Sequence, residues 1–309
     1  MPKPIVILGV FVADTAYRAD RLPRMGETLL GQSFHLGPGG KGSNQAVAAA
    51  MAGGRVHFIT RLGPDPFAEM AQTTWAKAGV VPEVTVDPDS FTGAAFIFLE
   101  AATGNNAIII SPGAAGRIGV EDIEAKAELI RGAGVFITQL EQPIPAARRA
   151  LELAREGGAR TILNPAPAAP LDDALLALCD FLTPNETEAE ALTGLPVTTL
   201  AEAEAAAAAL LARGVGAVVM TLGERGALYR DRDQSFHMPV ISAGPVAETT
   251  GAGDAFNGGF AVALAEGKSM HGAVRMGCAT AGISVTRPGT AGSMPSRAEI
   301  DALLARQPG

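Results

Sequence analysis

AGVFITQLEQPIPAARRALELAREGGARTILNP, residues 133–165, contains a strand, a helix and a second strand in succession. The short apolar runs at 133–140 and 159–165 predict strands, because both are rich in β-branched residues. The segment between them, 145–158, is rich in Ala, Leu, Glu and Arg and predicts a helix. This alternation is typical of a parallel sheet covered by helices on both faces.

The same alternation recurs along most of the chain, which predicts an α/β fold with a mainly parallel central sheet. Further strands are predicted at 4–10, 56–63, 181–186 and 217–223. Further helices are predicted at 43–53, 66–80, 120–132 and 201–214. The last of these is alanine-rich, and we interpret it as an ordinary surface helix because Ala, Glu and Leu are strong helix formers.

Two segments, 11–36 and 91–111, break the alternation because neither contains a helical stretch. In the second segment two apolar runs flank AATGNN, which predicts a β-hairpin around a Gly-Asn turn. We expect the two segments to form a small separate sheet that projects from the main one. An uncovered apolar sheet face needs a ligand or a second subunit to cover it.

The composition indicates a large globular protein. The 309 residues are enough for about two domains, or for one large α/β domain with an appendage. Hydrophobic residues make up 48% and charged residues 18%, which excludes disordered and fibrous classes. The 24 Lys and Arg against 32 Asp and Glu give a net charge of −8. Such a chain has no electrostatic footprint for nucleic acid or for an anionic membrane, so we expect neither as a partner.

The cysteines, the histidines and the N-terminus indicate neither a disulfide framework, a zinc site nor a signal peptide. Cys179 and Cys278 are too few for a disulfide framework or a four-thiolate zinc site. The four histidines are scattered: His35, His57, His237 and His271. The N-terminal apolar run of about eight residues is too short to span a membrane and lacks a small-residue cleavage pattern. We interpret it as a buried first strand and expect the protein in the reducing cytoplasm.

The glycine-rich stretch GPGGKGSNQA, residues 37–46, formally satisfies the dinucleotide-binding pattern G-x-G-x-x-G. It does not directly follow the first predicted strand, and it lacks the spacing of a Walker A loop, so neither nucleotide loop is indicated. We interpret it as a glycine turn that leads into a helix N-terminus, with Lys41 and Asn44 facing outward. Such a turn lets a small polyhydroxylated ligand approach the backbone. The alternative is a tight turn that needs glycine only for positive φ.

A second glycine-rich stretch, ETTGAGDAFNGGF at residues 248–260, leads directly into an apolar-periodic helix. The backbone N–H groups of Gly251, Ala252 and Gly253 would be unpaired donors at the positive end of that helix. They predict an anion site suited to a phosphoryl group. Asp254 lies in the same turn and, when ionised, can accept a proton from a hydroxyl. The alternative is that Asp254 caps the helix, but a cap does not need three small residues before it.

Two further strand ends carry candidate ligand residues. TPNETEAE, residues 183–190, joins a strand to a helix, and Asn185, Glu186 and Glu188 offer oxygen atoms that suit Mg²⁺ held mostly through its waters. An acidic helix start is the alternative. TLGERGA, residues 221–227, is a strand-to-glycine turn that can pass beside a nucleotide. With the GAGD turn, these features supply a base, an anion site and a metal site, and this combination favours a phosphoryl-transferring kinase.

The chain resembles the PfkB-type carbohydrate kinases and, within them, the ribokinase branch. The resemblance runs from GVFVAD at 9–14 to VTRPGTAGSMP at 285–295. The motifs that carry it are GGKGSNQA (39–46), LEQP (140–143), LNPAPA (163–168), TPNETEAEALTG (183–194) and GAGDAFNGG (251–259). It implies a ribokinase-like three-layer α/β/α sandwich, in which residues 1–309 form one domain and the small sheet is a lid. It also implies ATP-dependent phosphorylation of D-ribose at O5.

The resemblance further implies roles for individual residues. Asp254 would be the general base, and the anion hole would be formed by Gly251, Ala252 and Gly253. The sugar would be bound by Asp14, Gly40, Lys41, Asn44, Glu141 and Asp254. ATP would be bound by Asn185, Thr221, Gly223, Gly226 and Gly253, with Glu188 near Mg²⁺ through water. An activating K⁺ would be held, partly through backbone carbonyls, by Glu248, Thr250, Ser284, Arg287, Gly289 and Ser293. The lid would mediate a homodimer.

Three positions depart from the pattern of the ribokinase branch. Val12 occupies the place of an Asn two residues before the sugar-binding Asp, so a hydrogen bond that would discriminate one sugar hydroxyl is missing. Glu248 replaces the usual Asp before the GAGD turn, and Ala115 replaces an Asn after PGA. The sequence leaves open a related kinase for deoxyribose, ketodeoxygluconate or a nucleoside such as adenosine. A non-catalytic sugar-binding protein and a dinucleotide-dependent dehydrogenase are more remote alternatives.

Overall fold

Two β-sheets organise residues 3–307, which are the residues that the computed structural model describes. The strands are β1 (Ile5–Leu8), β2 (Val12–Ala19), β3 (Ser33–Gly39), β4 (Val56–Leu62), β5 (Val81–Val86), β6 (Thr92–Glu100), β7 (Asn106–Gly113), β8 (Val135–Thr138), β9 (Arg160–Leu163), β10 (Phe181–Leu182), β11 (Ala217–Thr221), β12 (Ala227–Arg230) and β13 (Ser235–Met238). The helices are α1 (Lys41–Met51), α2 (Pro66–Ala78), α3 (Val120–Glu124), α4 (Ala127–Arg131), α5 (Ile144–Glu156), α6 (Asp173–Leu176), α7 (Glu186–Thr193), α8 (Leu200–Ala212), α9 (Ala252–Ala265), α10 (Met270–Ser284) and α11 (Arg297–Arg306). The ends of the predicted 1–309 domain, residues 1–2 and 308–309, lie outside the described residues. Within residues 3–307, none of the helices has both the length and the apolarity needed to cross a membrane.

The larger sheet has nine strands in the order β13-β12-β11-β10-β9-β8-β1-β4-β5. Its strands pair in parallel from β5 to β11, whereas β12 and β13 are antiparallel additions at one edge. The prediction of a mainly parallel central sheet is therefore confirmed.

Helices cover both faces of this sheet. Successive side chains of a strand point to opposite faces, and along β1 Ile5 and Ile7 pack into one apolar cluster while Val6 and Leu8 pack into the other. The first cluster includes residues of α1, α2, α9, α10 and α11, and the second includes residues of α5, α6, α7 and α8. This confirms the predicted three-layer α/β/α arrangement.

The order of strands in the large sheet reverses at β1. The chain adds β4 and β5 on one side of β1, and later adds β8 to β13 on the other side. In open α/β sheets ligands bind outside the carboxyl ends of the strands at such a reversal. We therefore expect ligand-binding residues in the segments that follow β1 and β8.

Several elements differ from the sequence predictions. The single helix predicted at 120–132 is two short helices, because the backbone leaves helical geometry at Lys126, whose ammonium donates to Glu83 Oε2 at 2.7 Å. Strands β5, β12 and β13 and helices α6, α10 and α11 were not predicted. The alanine-rich helix is confirmed as α8, in which Thr199 caps the first turn and the face with Ala203 and Leu210 is buried.

The smaller sheet has four strands in the order β3-β2-β6-β7, and these strands overlap the two segments that lack predicted helices. The β2–β3 and β6–β7 pairs are antiparallel, whereas β2 and β6 pair in parallel. The predicted hairpin is confirmed as β6–β7, with Gly104 at φ +75° in its turn. Large apolar side chains of this sheet are exposed to solvent: Tyr17, Phe34, Leu36, Ile108, Ile109 and Ile110.

Helices α1 and α9 pack with their backbones in close contact. A Cβ placed on Gly258 of α9 would lie 2.5 Å from the Cβ of Ala48 and 2.7 Å from the backbone nitrogen of Ala49, both in α1. Any larger side chain at Gly258 would therefore push the two helices apart. Both helices begin near the carboxyl edge of the large sheet, so this contact sets the distance between their N-termini.

Candidate active site

The first turn of α9 forms the centre of the candidate site. Gly251 precedes the helix in the left-handed conformation, with φ +80°, which glycine adopts without steric penalty. The N–H of Ala252 donates to Thr249 O at 3.1 Å, so this amide is engaged in a turn and is not the unpaired donor that we predicted. Among residues 3–307 the amides of Gly251 and Gly253 have no protein partner, and both residues line a cleft. The predicted anion site is thus reduced to these two amides.

Asp254 lies in the same turn and is almost completely buried, with 6% of its surface exposed. Its Oδ1 accepts a hydrogen bond from Gln45 Nε2 at 3.0 Å, and its Oδ2 accepts one from Asn44 Nδ2 at 3.1 Å. Burial raises the pKa of Asp254, while Lys41, Gln45 and Asn44 oppose the rise. An elevated pKa makes this carboxylate a better proton acceptor than an ordinary surface aspartate.

A second group of acidic residues faces α1 from the sheet reversal. Glu141, which follows β8, accepts a hydrogen bond from the Lys41 amide at 2.8 Å, and Asp14 of β2 packs directly over Gly39. Burial raises the pKa of Glu141 to about 7, against the pull of Lys41. Burial also raises the pKa of Asp14 to about 6, with His35 opposing. The carboxyl oxygens of Glu141 and Asp14 can accept hydrogen bonds from the hydroxyl groups of a polyol.

Asn44 in α1 contacts the candidate base directly. Its Nδ2 donates to Asp254, whereas its buried Oδ1 has no hydrogen-bond partner among the described residues. An unpaired buried acceptor is costly, so a ligand hydroxyl that donates to it would be favoured. Gly40, the predicted sugar contact, lies at the N-terminus of the same helix, with φ +87°.

The predicted nucleotide residues lie at the ends of β10 and β11. Asn185 caps α7, and an isolated parallel bridge brings it next to Thr221. Gly223 and Gly226 shape the turn after β11 and do not line the cleft. The cleft has a volume of about 130 Å³. It is lined by Lys41, Asn164, Ala166, Thr183, Asn185, Glu188, Thr221, Thr249, Gly251, Ala252, Gly253, Asp254 and Asn257.

The sequence left open whether Glu188 belongs to an acidic helix start or is a metal ligand, and its surroundings are compatible with both. Its carboxylate accepts from the Asn185 amide at 2.9 Å and from Asn185 Nδ2 at 3.1 Å, which completes a capping box for α7. The side chain is also buried beside the cleft, and burial raises the pKa of Glu188 against the hydrogen bond from Asn185 and the charge of Lys41. A hard, partly dehydrated carboxylate at this position fits a magnesium ion approached through water.

The predicted K⁺ ligands lie in two segments that are held together near α9, and one of them, Ser284, is the last residue of α10. Glu248 Oε2 accepts from the Gly289 amide at 2.8 Å, and the amides of Ala247 and Glu248 donate to Val285 O. The hydroxyls of Ser284 and Ser293 are buried, and Arg287 points its guanidinium at Glu299. Thr250 lies in the first segment, one residue before Gly251. The segments present hydroxyl and carbonyl oxygens, which are suitable donors for a hard cation, and Arg287 can contribute only through its backbone.

Sequence reasoning missed several polar residues of the site. Gln45 and Asn164 are hydrogen-bonded to each other beside Asp254, and Thr183 Oγ1 donates to Asn257 Oδ1 at 2.7 Å. Asn257 Nδ2 in turn donates to Gly253 O at 2.9 Å, which steadies the first turn of α9. The available signal was that Asn164 and Thr183 are polar residues within the predicted strands 159–165 and 181–186, near the strand ends where ligand-binding residues of parallel sheets are found.

Replacing Glu141 by glutamine is expected to stabilise the ligand-free protein at pH 8 by about 1–3 kcal/mol and at pH 5 by clearly less. The folded-state pKa of about 7 lies above the ordinary value of 4.5, so the wild type loses stability as the pH rises through this range. Glutamine does not ionise and avoids that loss. Urea unfolding of both proteins at the two pH values measures the difference.

The matched control for this prediction is Glu128→Gln, at an exposed glutamate of α4. This variant should change the free energy of unfolding equally little at both pH values. If Glu141→Gln has the same stability difference from wild type at pH 5 and pH 8, the elevated pKa of Glu141 is wrong.

Comparison with known proteins gives one consistent family. The model of the pfkB family carbohydrate kinases matches residues 3–297. A ribokinase from Haemophilus influenzae is 37% identical over 300 residues, covering 97% of both chains, and a deoxyribokinase from Salmonella typhi is 37% identical over 302 residues, covering 97% of this chain and 98% of the relative. The structure of an Arabidopsis thaliana ribokinase complexed with ribose and ATP matches with a TM-score of 0.92 at 32% identity, covering 98% of this chain and 99% of that one. The chain, with its GAGD turn and its small additional sheet, therefore belongs to the pfkB family of carbohydrate kinases.

Proposed function

We propose that this protein transfers the γ-phosphoryl group of ATP to O5 of D-ribose, with Asp254 as the general base. The observation that carries the proposal is the position of the buried Asp254 carboxylate. It accepts a hydrogen bond from Asn44 and is near Glu141, which in turn is near Asp14, and it lines the same cleft as the unpaired amides of Gly251 and Gly253. A base close to both a polyol site and an anion site is the arrangement that phosphoryl transfer to a hydroxyl requires.

In this proposal the sugar hydroxyls donate to Asp14, Glu141 and the free Oδ1 of Asn44, which leaves one hydroxyl directed at Asp254. Asp254 takes the proton of that hydroxyl as the hydroxyl oxygen attacks the γ-phosphorus, and the bond from the γ-phosphorus to the β–γ bridging oxygen breaks to release ADP. The amides of Gly251 and Gly253 stabilise the negative charge on the transferring group. Asn185 and the turn from Thr221 to Gly226 hold the nucleotide.

Glu188 would hold Mg²⁺ through water at the nucleotide phosphates, where the ion neutralises charge on the β- and γ-phosphoryl oxygens. The buried carboxylate beside the cleft supports this assignment. We further propose a K⁺ site on the two segments joined by Glu248 and Gly289, and the joining hydrogen bond supports it because the segments are already in place.

A second acceptor, 2-deoxyribose, is favoured by one specific observation. Val12 lies two residues before Asp14 on the same face of β2, and its side chain is buried. An apolar side chain offers no hydrogen bond to a sugar hydroxyl, so it cannot select strongly for that hydroxyl. The relatives include both ribokinases and a deoxyribokinase at equal identity.

The test is ATP-dependent phosphorylation by the purified protein with Mg²⁺, with and without K⁺. The acceptors are D-ribose, 2-deoxyribose, ketodeoxygluconate and adenosine, and the product is identified by ³¹P NMR. We expect the highest kcat/KM with D-ribose, formation of a 5-phosphate, and a higher rate with K⁺. Preferred turnover of ketodeoxygluconate or adenosine would contradict the proposed substrate, and no turnover of any acceptor would favour a non-catalytic sugar-binding protein.

We also propose that the small sheet closes over the sugar as a lid and joins two copies of the chain in the cytoplasm. The exposed isoleucines of β7 support the dimer, since an edge strand with three exposed apolar residues is open to pairing. The buried thiols of Cys179 and Cys278 support a reducing compartment.

Changing Ile108 and Ile110, which share a face of β7, together to lysine is expected to convert the dimer into a monomer. In the dimer the two lysine ammonium groups would be buried in an apolar interface without a partner of opposite charge. Sedimentation velocity at micromolar concentration measures the change. Val246→Lys, at another exposed apolar position outside the small sheet, is the control and should remain dimeric. A monomeric wild type, or a dimeric double variant, would refute the lid interface.

A further inference from the structure

The side-chain amide of Gln45 is completely buried in α1 and uses both of its N–H groups beside the candidate base. Its Nε2 donates to Asp254 Oδ1 at 3.0 Å and to Asn164 Oδ1 at 3.1 Å. Its Oε1 accepts from Gln139 Nε2 at 2.7 Å. Because an amide has distinct donor and acceptor ends, these three bonds fix which end faces Asp254.

The partners of Gln45 are themselves fixed by the carboxyl ends of adjacent strands. Gln139 follows β8 directly, and Asn164 follows β9 directly. Asn164 Nδ2 donates to the backbone oxygen of Thr183 at 2.8 Å, so its Oδ1 must face Gln45. The amide chain Gln139–Gln45–Asn164 therefore joins the rigid edge of the large sheet to the carboxylate of Asp254.

The two oxygens of Asp254 have different surroundings. Oδ1 is held by Gln45, which belongs to this buried chain, whereas Oδ2 is held by Asn44, whose own Oδ1 has no partner. Asn44 can exchange bonds with an incoming ligand, while Gln45 has no spare donor. Oδ1 is thus the anchored oxygen, and Oδ2 is the oxygen on the side of the ligand.

We propose that Gln45 is a positioning residue that holds Asp254 with Oδ2 towards the acceptor hydroxyl, and that Gln139 and Asn164 lock Gln45 in this orientation. The inference rests on the proposed role of Asp254 as the base. In this inference Gln45 touches neither sugar nor nucleotide. It determines whether the Asp254 carboxylate is oriented to accept the proton of the acceptor hydroxyl. Misplacing a reacting group by about 1 Å costs on the order of 10²-fold in rate.

Gln45 also contributes to the charge balance at Asp254. Burial raises the pKa of Asp254, and the charge of Lys41 and the hydrogen bonds from Gln45 and Asn44 oppose this rise. The other charged groups that face this cluster are Glu141, beyond the end of β8, and Glu188 in α7. Removing the Gln45 donor leaves all of these in place, so the pKa of Asp254 should rise further and the base should be ionised only at higher pH.

The test is Gln45→Met, which keeps the length of the side chain and removes its hydrogen bonds. We expect kcat to fall about 10²-fold with the sugar KM changed only a few-fold. We also expect the acid limb of the kcat–pH profile to move to higher pH. Gln139→Met, which removes the hydrogen bond to Gln45 Oε1, should give a smaller change of the same sign. It replaces Gln45→Met as the test variant if Gln45→Met does not fold. The control is Gln142→Met, another buried amide, which donates to Thr138 Oγ1 and Gln139 O and does not contact Gln45 or Asp254.

A purely structural role would lower the melting temperature of Gln45→Met without moving the acid limb. The inference is overturned if Gln45→Met has the acid limb of the wild type, if Gln142→Met moves the acid limb as far as Gln45→Met does, or if Gln45→Met keeps the wild-type kcat. Asp254→Asn is assayed in parallel. If that variant also keeps its turnover, the proposed base is wrong. If it is inactive while Gln45→Met is normal, only the positioning role is wrong.

Discussion

Replacing Asp254 by asparagine is expected to lower kcat by about 10³–10⁴-fold while ATP and sugar still bind. The amide cannot accept the hydroxyl proton, so the attacking oxygen must lose it without help. Asparagine has nearly the same shape as aspartate, so the first turn of α9 and the amides of Gly251 and Gly253 should remain in place. Steady-state kinetics with the preferred sugar, combined with calorimetric titration of sugar and ATP, separates the loss of turnover from a loss of binding.

The environment of Asp254 adds a second expectation for this variant. Both carboxylate oxygens accept from side-chain amides, Oδ1 from Gln45 and Oδ2 from Asn44. The new amide would point its own N–H groups at one of these donors, so we expect a modest loss of sugar affinity through Asn44. The control is Asp173→Asn at an exposed position of helix α6, which should keep wild-type kinetics. A kcat for Asp254→Asn within tenfold of wild type would rule out Asp254 as the base.

Replacing Val12 by asparagine is expected to raise the preference for D-ribose over 2-deoxyribose by about 10–10²-fold. In the wild type Val12 packs in the same apolar cluster as Val10, Ala95 and Leu140, next to the Asp14 site. A hydrophobic pocket rejects a missing hydroxyl weakly, so the wild type should prefer D-ribose over 2-deoxyribose by only a small factor. The new amide would be satisfied by the ribose hydroxyl and left unpaired by deoxyribose, and an unpaired buried amide is costly.

The ratio of kcat/KM for the two sugars measures this effect, and Val12→Ile is the matched control because it adds bulk without a hydrogen-bonding group. We expect the ratio for Val12→Ile to stay near that of the wild type. Two results would contradict the interpretation of Val12: a wild type that already rejects 2-deoxyribose by more than about 10³-fold, or a Val12→Asn variant with an unchanged ratio.

The strands and helices that could be predicted from the sequence are those that form because of their own residue pattern. The core strands are apolar runs with β-branched residues, and the helices between them contain strong helix formers. Strand β5, VPEVTV, was missed because it is an edge strand with half-exposed side chains and no apolar run. Helix α10 was missed because it contains Gly272, Gly277 and Gly282, and it is stabilised by packing on α9 rather than by propensity.

In the candidate site, the GAGD turn and the strand-end carboxylates could be predicted because charge and glycine spacing have recognisable patterns. The engaged amide of Ala252 could not, since it depends on the backbone path of Thr249. The amides around Asp254 could not be predicted either. Gln45 and Asn164 are 119 residues apart, and a buried amide pair has no spacing signature in a sequence.

The contact between Gly258 and Ala48 has a consequence for how this enzyme can change. It fixes the start of α9, with the proposed base Asp254 and the amides of Gly251 and Gly253, against the helix that carries Lys41 and Asn44, so the groups proposed to react form one unit. Val12, by contrast, lies on a strand of the small sheet, outside that unit. Mutations in the small sheet can therefore alter which sugar is accepted without disturbing the distances on which the chemistry depends.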